Sequence, residues 1–247
     1  MLTFSAAEMT YEPYPVGYLT SFIEENAYKQ MLECWPELDK FEYMPKLGKK
    51  YSLSEGNNAG NYSKCIKATP VWTHFYQMVK SSEFIENTLQ FLNAKNIDLG
   101  LSKRKIVSRR GGRRSSVLAR LQGVTELSAR FEFSMMAPDG GHILPHTDAP
   151  NKLITLVVSH VAPNEWDEKW GGGTEVCLPK DRSRIFNHRN KYMSFEEVDV
   201  IKKFPFTPNQ CIIFIKTYNS WHQVSPIQAG SQGPMRRTLT INIESKV

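Results

Sequence analysis

The chain has 247 residues, is 40% hydrophobic and 23% charged, and carries a net charge of +6. That length and balance suit one soluble globular domain with a sizeable core, residues 1–247, and exclude a disordered or fibrous chain. No run approaches eighteen consecutive apolar residues, so a membrane-spanning helix is excluded.

The N-terminal residues lack a basic stretch followed by an apolar one, as a secretory leader would have. Cysteines at 34, 65, 177 and 211 show neither CxxC pairing nor framework spacing. A reducing, cytoplasmic setting is therefore expected, with Cys177 and Cys211 as small core residues.

Residues 1–100 read as a mostly helical flank. Ser21-x-x-Glu24 fits a capping box ahead of Ile23, Ala27, Tyr28, Met31, Leu32 and Trp35 at helical spacing. Residues 37–68, rich in Gly, Asn and Ser, read as an irregular loop region. Thr69-Pro70 offers an N-cap and a proline at the first helical position, and Val71, Trp72, Phe75, Met78 and Val79 form one stripe. Phe84, Ile85, Thr88, Leu89 and Leu92 form a second stripe. Both suit packing against a sheet.

Residues 101–126 read as a basic loop. Eight Lys and Arg fall between 102 and 120 with no acid among them, so the rest of the chain has a net charge of −2. Self-repulsion makes a solvated loop the simpler reading. The functional reading is an anionic partner, either a charged substrate or nucleic acid. Few aromatics are interleaved with the cations, which disfavours a single-strand stacking platform.

From about 127 the period becomes two. Phe131, Phe133 and Met135 alternate with Arg130, Glu132 and Ser134, and Arg237, Leu239, Ile241 and Ile243 alternate with Arg236, Thr238, Thr240 and Asn242. Between them, residues 152–158 and 210–216 read as buried strands, and a glycine turn at 171–173 leads into a strand from Thr174. Strands with one oily and one polar face predict a jelly roll over residues 127–247, polar inside and packed outside on the N-terminal helices.

His146-Thr-Asp148, with His222 76 residues beyond His146, supplies two imidazoles and a carboxylate. Residues two apart on an extended segment project to one side, so His146 and Asp148 can share a metal ion if the fold returns His222. Three ligands on one face suit non-haem Fe(II), although Zn(II) also accepts such donors. His142 reads as a rim residue, and His74, His160 and His188 have no partners evident in sequence.

In order, His146 and Asp148, Gly171 to Thr174, the strand from Cys211 to Lys216, His222, and Arg236 with Thr238 resemble the 2-oxoglutarate- and Fe(II)-dependent oxygenases, in particular the prolyl-hydroxylase-like branch. The resemblance covers about residues 127–245. It implies a double-stranded β-helix core and Fe(II) held by His146, Asp148 and His222. It also implies 2-oxoglutarate and O2 as co-substrates, with ascorbate as a stimulatory reductant. The reaction implied is hydroxylation of an unactivated C–H bond, with succinate and CO2 as co-products. The carboxylate at 148 separates the chain from related halogenases, which carry a small residue there.

For the far carboxylate of 2-oxoglutarate, alternation selects Arg236 beside Thr238 rather than Arg237, which shares a face with Leu239 and Ile241. The expected substrate is a small molecule or amino-acid derivative, with an anionic one a further option. The alternatives are a protein (prolyl-type) side-chain hydroxylase and a non-catalytic jelly-roll binding module.

Overall fold

The computed structural model describes residues 2–4, 6–101, 105–108 and 124–245. Most of the basic stretch lies outside the described residues.

The N-terminal flank mixes strands with helices. In chain order it holds β1 (Glu8–Thr10), β2 (Val16–Leu19), α1 (Glu25–Glu33), β3 (Glu42–Met44), β4 (Lys50–Ser54), α2 (Ala59–Ala68), α3 (Pro70–Val79) and α4 (Ser82–Ala94). Then come β5 (Lys105–Ser108), β6 (Val124–Met136), β7 (Ile143–His146), β8 (Lys152–Ser159), β9 (Thr174–Pro179), β10 (Val198–Phe204), β11 (Cys211–Ile215), β12 (His222–Val224) and β13 (Arg236–Ser245).

Three sequence expectations need correction. Residues 37–68 contain β3, β4 and α2 rather than an irregular loop. Lys105–Ser108 pairs in parallel with the start of β6, so the basic stretch includes a strand. The cap of α1 is Glu24, whose carboxylate accepts from Asn26 and Ala27 N, while Ser21 sits at φ 54° outside the helix. Two carboxylate oxygens satisfy two free amides there and oppose the helix dipole, which a serine three residues upstream cannot do. Thr69 and Ser81 cap α3 and α4 through their hydroxyls.

Among the described residues the strands form two antiparallel-dominated sheets. The larger runs β1-β2-β11-β8-β13-β6-β4-β3, with β5 alongside β6; the smaller runs β10-β9-β12-β7. Strands 6 to 13 pass back and forth between the sheets, with β9 and β10 as a hairpin in the smaller one, the winding of a double-stranded β-helix, and the four N-terminal strands widen the larger sheet at both edges.

Alternation decides what each face does. Phe131, Phe133, Leu156, Ile213, Leu239 and Ile241 point away from the barrel and are fully buried against Trp72, Phe75 and Met31 of the helices. Each such side chain contributes roughly 1.5–3 kcal/mol of hydrophobic stabilisation. The intervening residues Ser134, Thr155, Thr238 and Asn242 are buried on the opposite face, inside the barrel, with Glu132 half-buried beside them. Cys177 and Cys211 are buried free thiols, as expected of core cysteines, and burial pushes the Cys177 pKa up to about 12. Among the described residues no helix is long and apolar enough to cross a membrane.

Polar bonds fix the helical layer to the sheet. The Tyr28 hydroxyl on α1 accepts from Val161 N (3.1 Å) and Asn209 N (3.0 Å) and donates to Val161 O (2.8 Å). Beside it His160 is fully buried and stacks on Trp35 with ring centroids 4.4 Å apart. Burial holds its pKa down at about 3. Unfolding restores an ordinary histidine, so between pH 6.5 and pH 3 the unfolded chain binds the extra proton, and stability falls with pH by about 1.4 kcal/mol per unit. Replacing His160 with Phe removes this penalty. Urea titrations should show wild type losing about 2 kcal/mol more than His160→Phe between pH 7 and pH 5; equal losses would contradict the assignment.

Candidate active site

The minor sheet brings the two histidines together. His146 ends β7, His222 begins β12, and the two are direct cross-strand partners with ring centroids 4.3 Å apart. Asp148 reaches them by a route other than strand alternation. β7 ends at His146, and Asp148 lies in the following loop at φ 68°. The left-handed turn, tolerated by Asp better than by most residues, aims the carboxylate back at the imidazoles.

His146 Nε2 lies 3.7 Å from Asp148 Oδ1, and His222 Nε2 lies 3.9 Å from Asp148 Oδ2. The ligand atoms of all three fall within 4.8 Å of one another. These gaps are too long for hydrogen bonds and suit donors converging on one ion at metal–ligand distances near 2.1 Å.

Protonation fits as well. Each Nδ1 faces a backbone carbonyl, that of Leu144 at 3.0 Å and that of Ser220 at 2.9 Å. A carbonyl only accepts, so Nδ1 carries the proton and the Nε2 lone pair is left for a metal. Burial, reinforced by His146, lowers the His222 pKa to about 3. Burial alone would raise Asp148, but Lys152 and the two imidazoles hold it well below the usual carboxylate range. A neutral His222 and an ionised Asp148 are the forms a metal requires.

The triad lines a cavity of about 110 Å³ together with Arg236, Thr238, Lys50 and Lys152. Arg236 is 3% exposed. Its Nε donates to Gly172 O, and its guanidinium lies 4.7 Å from the Phe206 ring centroid. Burial lowers its pKa to about 9. Arg237 points the other way and makes a double hydrogen bond to Glu165 at 2.5 and 2.6 Å.

A sequence profile described as the 2OG-Fe(II) oxygenase superfamily matches residues 131–244, the stretch that carries the whole constellation. That match and the converging triad support a 2-oxoglutarate- and Fe(II)-dependent oxygenase. A prolyl-4-hydroxylase from Pseudomonas putida superposes with a TM-score of 0.53 at 10% identity, covering 96% of this chain and 95% of that one. One from Phytophthora capsici gives 0.53 at 13% identity, covering 93% of this chain and 58% of that one. At such identities the two structures speak to the fold. Comparison with curated protein sequences gives no match. The oxygenase thus has Fe(II) and 2-oxoglutarate as its cofactor and co-substrate.

Sequence reasoning missed the residues that hold this oxygenase's carboxylate. Thr155 donates to Asp148 Oδ2 at 2.9 Å and Lys152 to Oδ1 at 2.7 Å. Thr155 was visible as the one polar residue among Leu153 to Val158, which places it on the inner face. Thr147, fully buried between two ligands, is held from three directions. Its N donates to Asn190 Oδ1 at 3.2 Å, its hydroxyl to Asn187 O at 3.3 Å, and its carbonyl accepts from Lys216 Nζ. His142 instead bonds Gly140 O and packs edge-on against Phe195, apart from the triad.

A neutral second-layer hydrogen bond such as that from Thr155 usually carries 10- to 100-fold in metal affinity, whereas Lys152 brings a positive charge of its own. Thr155→Val keeps the volume and removes the donor, so Mn(II) should bind about tenfold more weakly by calorimetry. Unchanged affinity would show that Thr155 does not position Asp148.

Proposed function

We propose that this oxygenase hydroxylates an unactivated C–H bond of a small molecule or amino-acid derivative, with His146, Asp148 and His222 holding Fe(II) and Arg236 anchoring 2-oxoglutarate. When bound, the metal and co-substrate supply the oxidising chemistry, yielding succinate and CO2 while one oxygen atom enters the substrate.

The observation that carries the co-substrate assignment is Arg236. It is a buried cation without a carboxylate partner among the described residues, in the same cavity as the triad. A guanidinium so placed is costly unless a ligand anion completes it, and its planar fork matches a carboxylate. Gly172 makes room for it. At φ 75° this residue suits glycine, and a Cβ there would lie 3.3 Å from Arg236 Cδ and 2.7 Å from the Trp166 ring. Thr238, two residues along on the same inner face, adds a hydroxyl.

The chain's other contributions are orientation and exclusion of water. The two Nδ1–carbonyl bonds fix the imidazole planes, Thr155 fixes the carboxylate, and Phe214, stacked on His222 at 4.2 Å, covers one side of the site. A second reading, hydroxylation of a prolyl side chain in a protein, takes its support from the two solved prolyl-4-hydroxylases of the same fold.

Succinate formation from 2-oxoglutarate, dependent on Fe(II), tests the proposal, and a substrate panel of free amino acids and proline-containing peptides separates the two readings. Asp148→Ala should abolish turnover. Arg236→Ala should raise the KM for 2-oxoglutarate on the order of 10²-fold, as expected when one partner of a buried charge pair is removed. Arg237→Ala should leave that KM within about threefold and instead lower stability through the stranded Glu165. The reverse ranking would move the anchor to Arg237.

A further inference from the structure

Lys50 has no role in the chemistry described so far, and Lys152 has appeared only as the ion-pair partner of Asp148. Lys152 Nζ lies 2.7 Å from Asp148 Oδ1, the oxygen that also faces His146 Nε2 at 3.7 Å. Lys50 Nζ lies 2.5 Å from Glu132 Oε1. All four side chains are largely withdrawn from solvent, the most exposed being Lys50 at 21%. Both lysines line the cavity that holds the triad. They also share a neighbourhood. Burial would raise the Glu132 carboxyl, but Lys50 and, more weakly, Lys152 hold it below its usual value.

In the metal-free site these charges balance, two ammonium groups against Asp148 and Glu132. A metal ion changes that sum. It draws on the same carboxylate that Lys152 holds, and two cations sharing one buried oxygen repel strongly where water cannot screen them. Once Asp148 is committed to the metal, two ammonium groups face Glu132 alone, so one buried positive charge is left over. An uncompensated buried charge is expensive and is met by an anion. The co-substrate does not supply it, because Arg236 is the separate cation suited to its far carboxylate and its other end belongs at the metal. The surplus is a single charge, which matches a carboxylate better than a dianionic phosphate.

We propose that Lys152 competes with the metal for Asp148 and, once displaced, joins Lys50 in a subsite that receives a carboxylate on the substrate. The substrate of this oxygenase is then a carboxylic acid, such as a free amino acid or a relative of one. This inference rests on the oxygenase reading above and deepens it.

Two calorimetric measurements test it. First, Mn(II) is titrated into the metal-free protein. Lys152→Met keeps the aliphatic stem and removes the competing charge, so it should bind Mn(II) at least tenfold more tightly than wild type. Lys50→Met, which does not touch Asp148, should match wild type. Equal or weaker binding by Lys152→Met overturns the competition. Second, acetate is titrated into the protein loaded with Mn(II) and 2-oxoglutarate. Wild type should bind it saturably, and both lysine variants at least tenfold more weakly.

Absence of saturable acetate binding overturns the subsite. So does binding that persists undiminished in Lys152→Met, because the acetate would then sit on the metal. Phosphate binding more tightly than acetate overturns the carboxylate assignment. Should Lys152→Met fail to fold, Lys152→Gln gives the same comparisons. Binding of 2-oxoglutarate to the Mn(II)-loaded wild type is the control. Its failure would count against the oxygenase reading, whereas its success without acetate binding would count against this inference alone.

Discussion

The site depends on the pairing of β7 with β12. His146 and His222 are 76 residues apart in the chain, yet they sit opposite each other as cross-strand neighbours. Residues directly opposite on antiparallel strands have Cβ atoms about 5 Å apart, so two imidazoles there are already spaced for a common ligand atom. Slipping β12 by one residue would turn His222 to the other face and remove it from the site. Register is guarded on both sides. β12 also pairs with β9, where His222 lies opposite Val176, and the Tyr14 hydroxyl bonds the Trp221 carbonyl at 2.9 Å just before the strand begins.

The larger sheet solves a different problem, that of keeping a polar interior within a stable protein. Its inner face is occupied by Thr, Ser, Asn, Glu and Arg side chains, which give little hydrophobic stabilisation. The stability comes from its other face. Phe131, Phe133, Leu239 and Ile241 bury against the helices, and Trp72 meets Phe133 edge-on at 4.7 Å. The N-terminal helices therefore act as the second wall of the hydrophobic core, which leaves the barrel interior free for charged groups. Lys50 follows from the same arrangement. β4 pairs with β6 in register, Lys50 opposite Met136, and so extends the barrel wall with a residue from the N-terminal flank.

What was legible in the sequence follows from how local each signal is. Alternation in β6 and β13 assigned Phe131, Phe133, Leu239 and Ile241 to the core, and Arg236 and Thr238 to the interior, because a period of two is written in consecutive residues. Thr69-Pro70 marked the start of α3 for the same reason. β1 and β3 were not legible, being three residues each, too short for any period. β4 reads Lys50-Tyr-Ser-Leu-Ser54 inside a Gly- and Asn-rich stretch, and its pairing with β6 spans 78 to 86 residues. Ser21 satisfied a capping pattern that Glu24 satisfies in space, since the pattern encodes residue types and not the φ at which the chain enters the helix. Lys152 lies four residues past Asp148, a spacing that means something on a helix and nothing at the entry to a strand, so its ion pair could be found only in three dimensions.

Asp148 shows how the site is kept in place. A non-glycine residue at φ 68° is strained by an amount on the order of 1 kcal/mol, and such a conformation persists only where the surroundings over-determine it. Here the side chain is held by Thr155 and Lys152, and the preceding peptide by Asn190, Lys216 and Ser220. Those partners come from β8, from the loop before β10, and from the turn that leads into His222. The turn matters most, because Ser220 bonds both Thr147 O and Thr217 O while its own carbonyl orients the His222 ring. The segment that carries one ligand thereby fixes the backbone of another. An error in either would propagate to both, which couples the three donor atoms more tightly than their separation in the chain suggests.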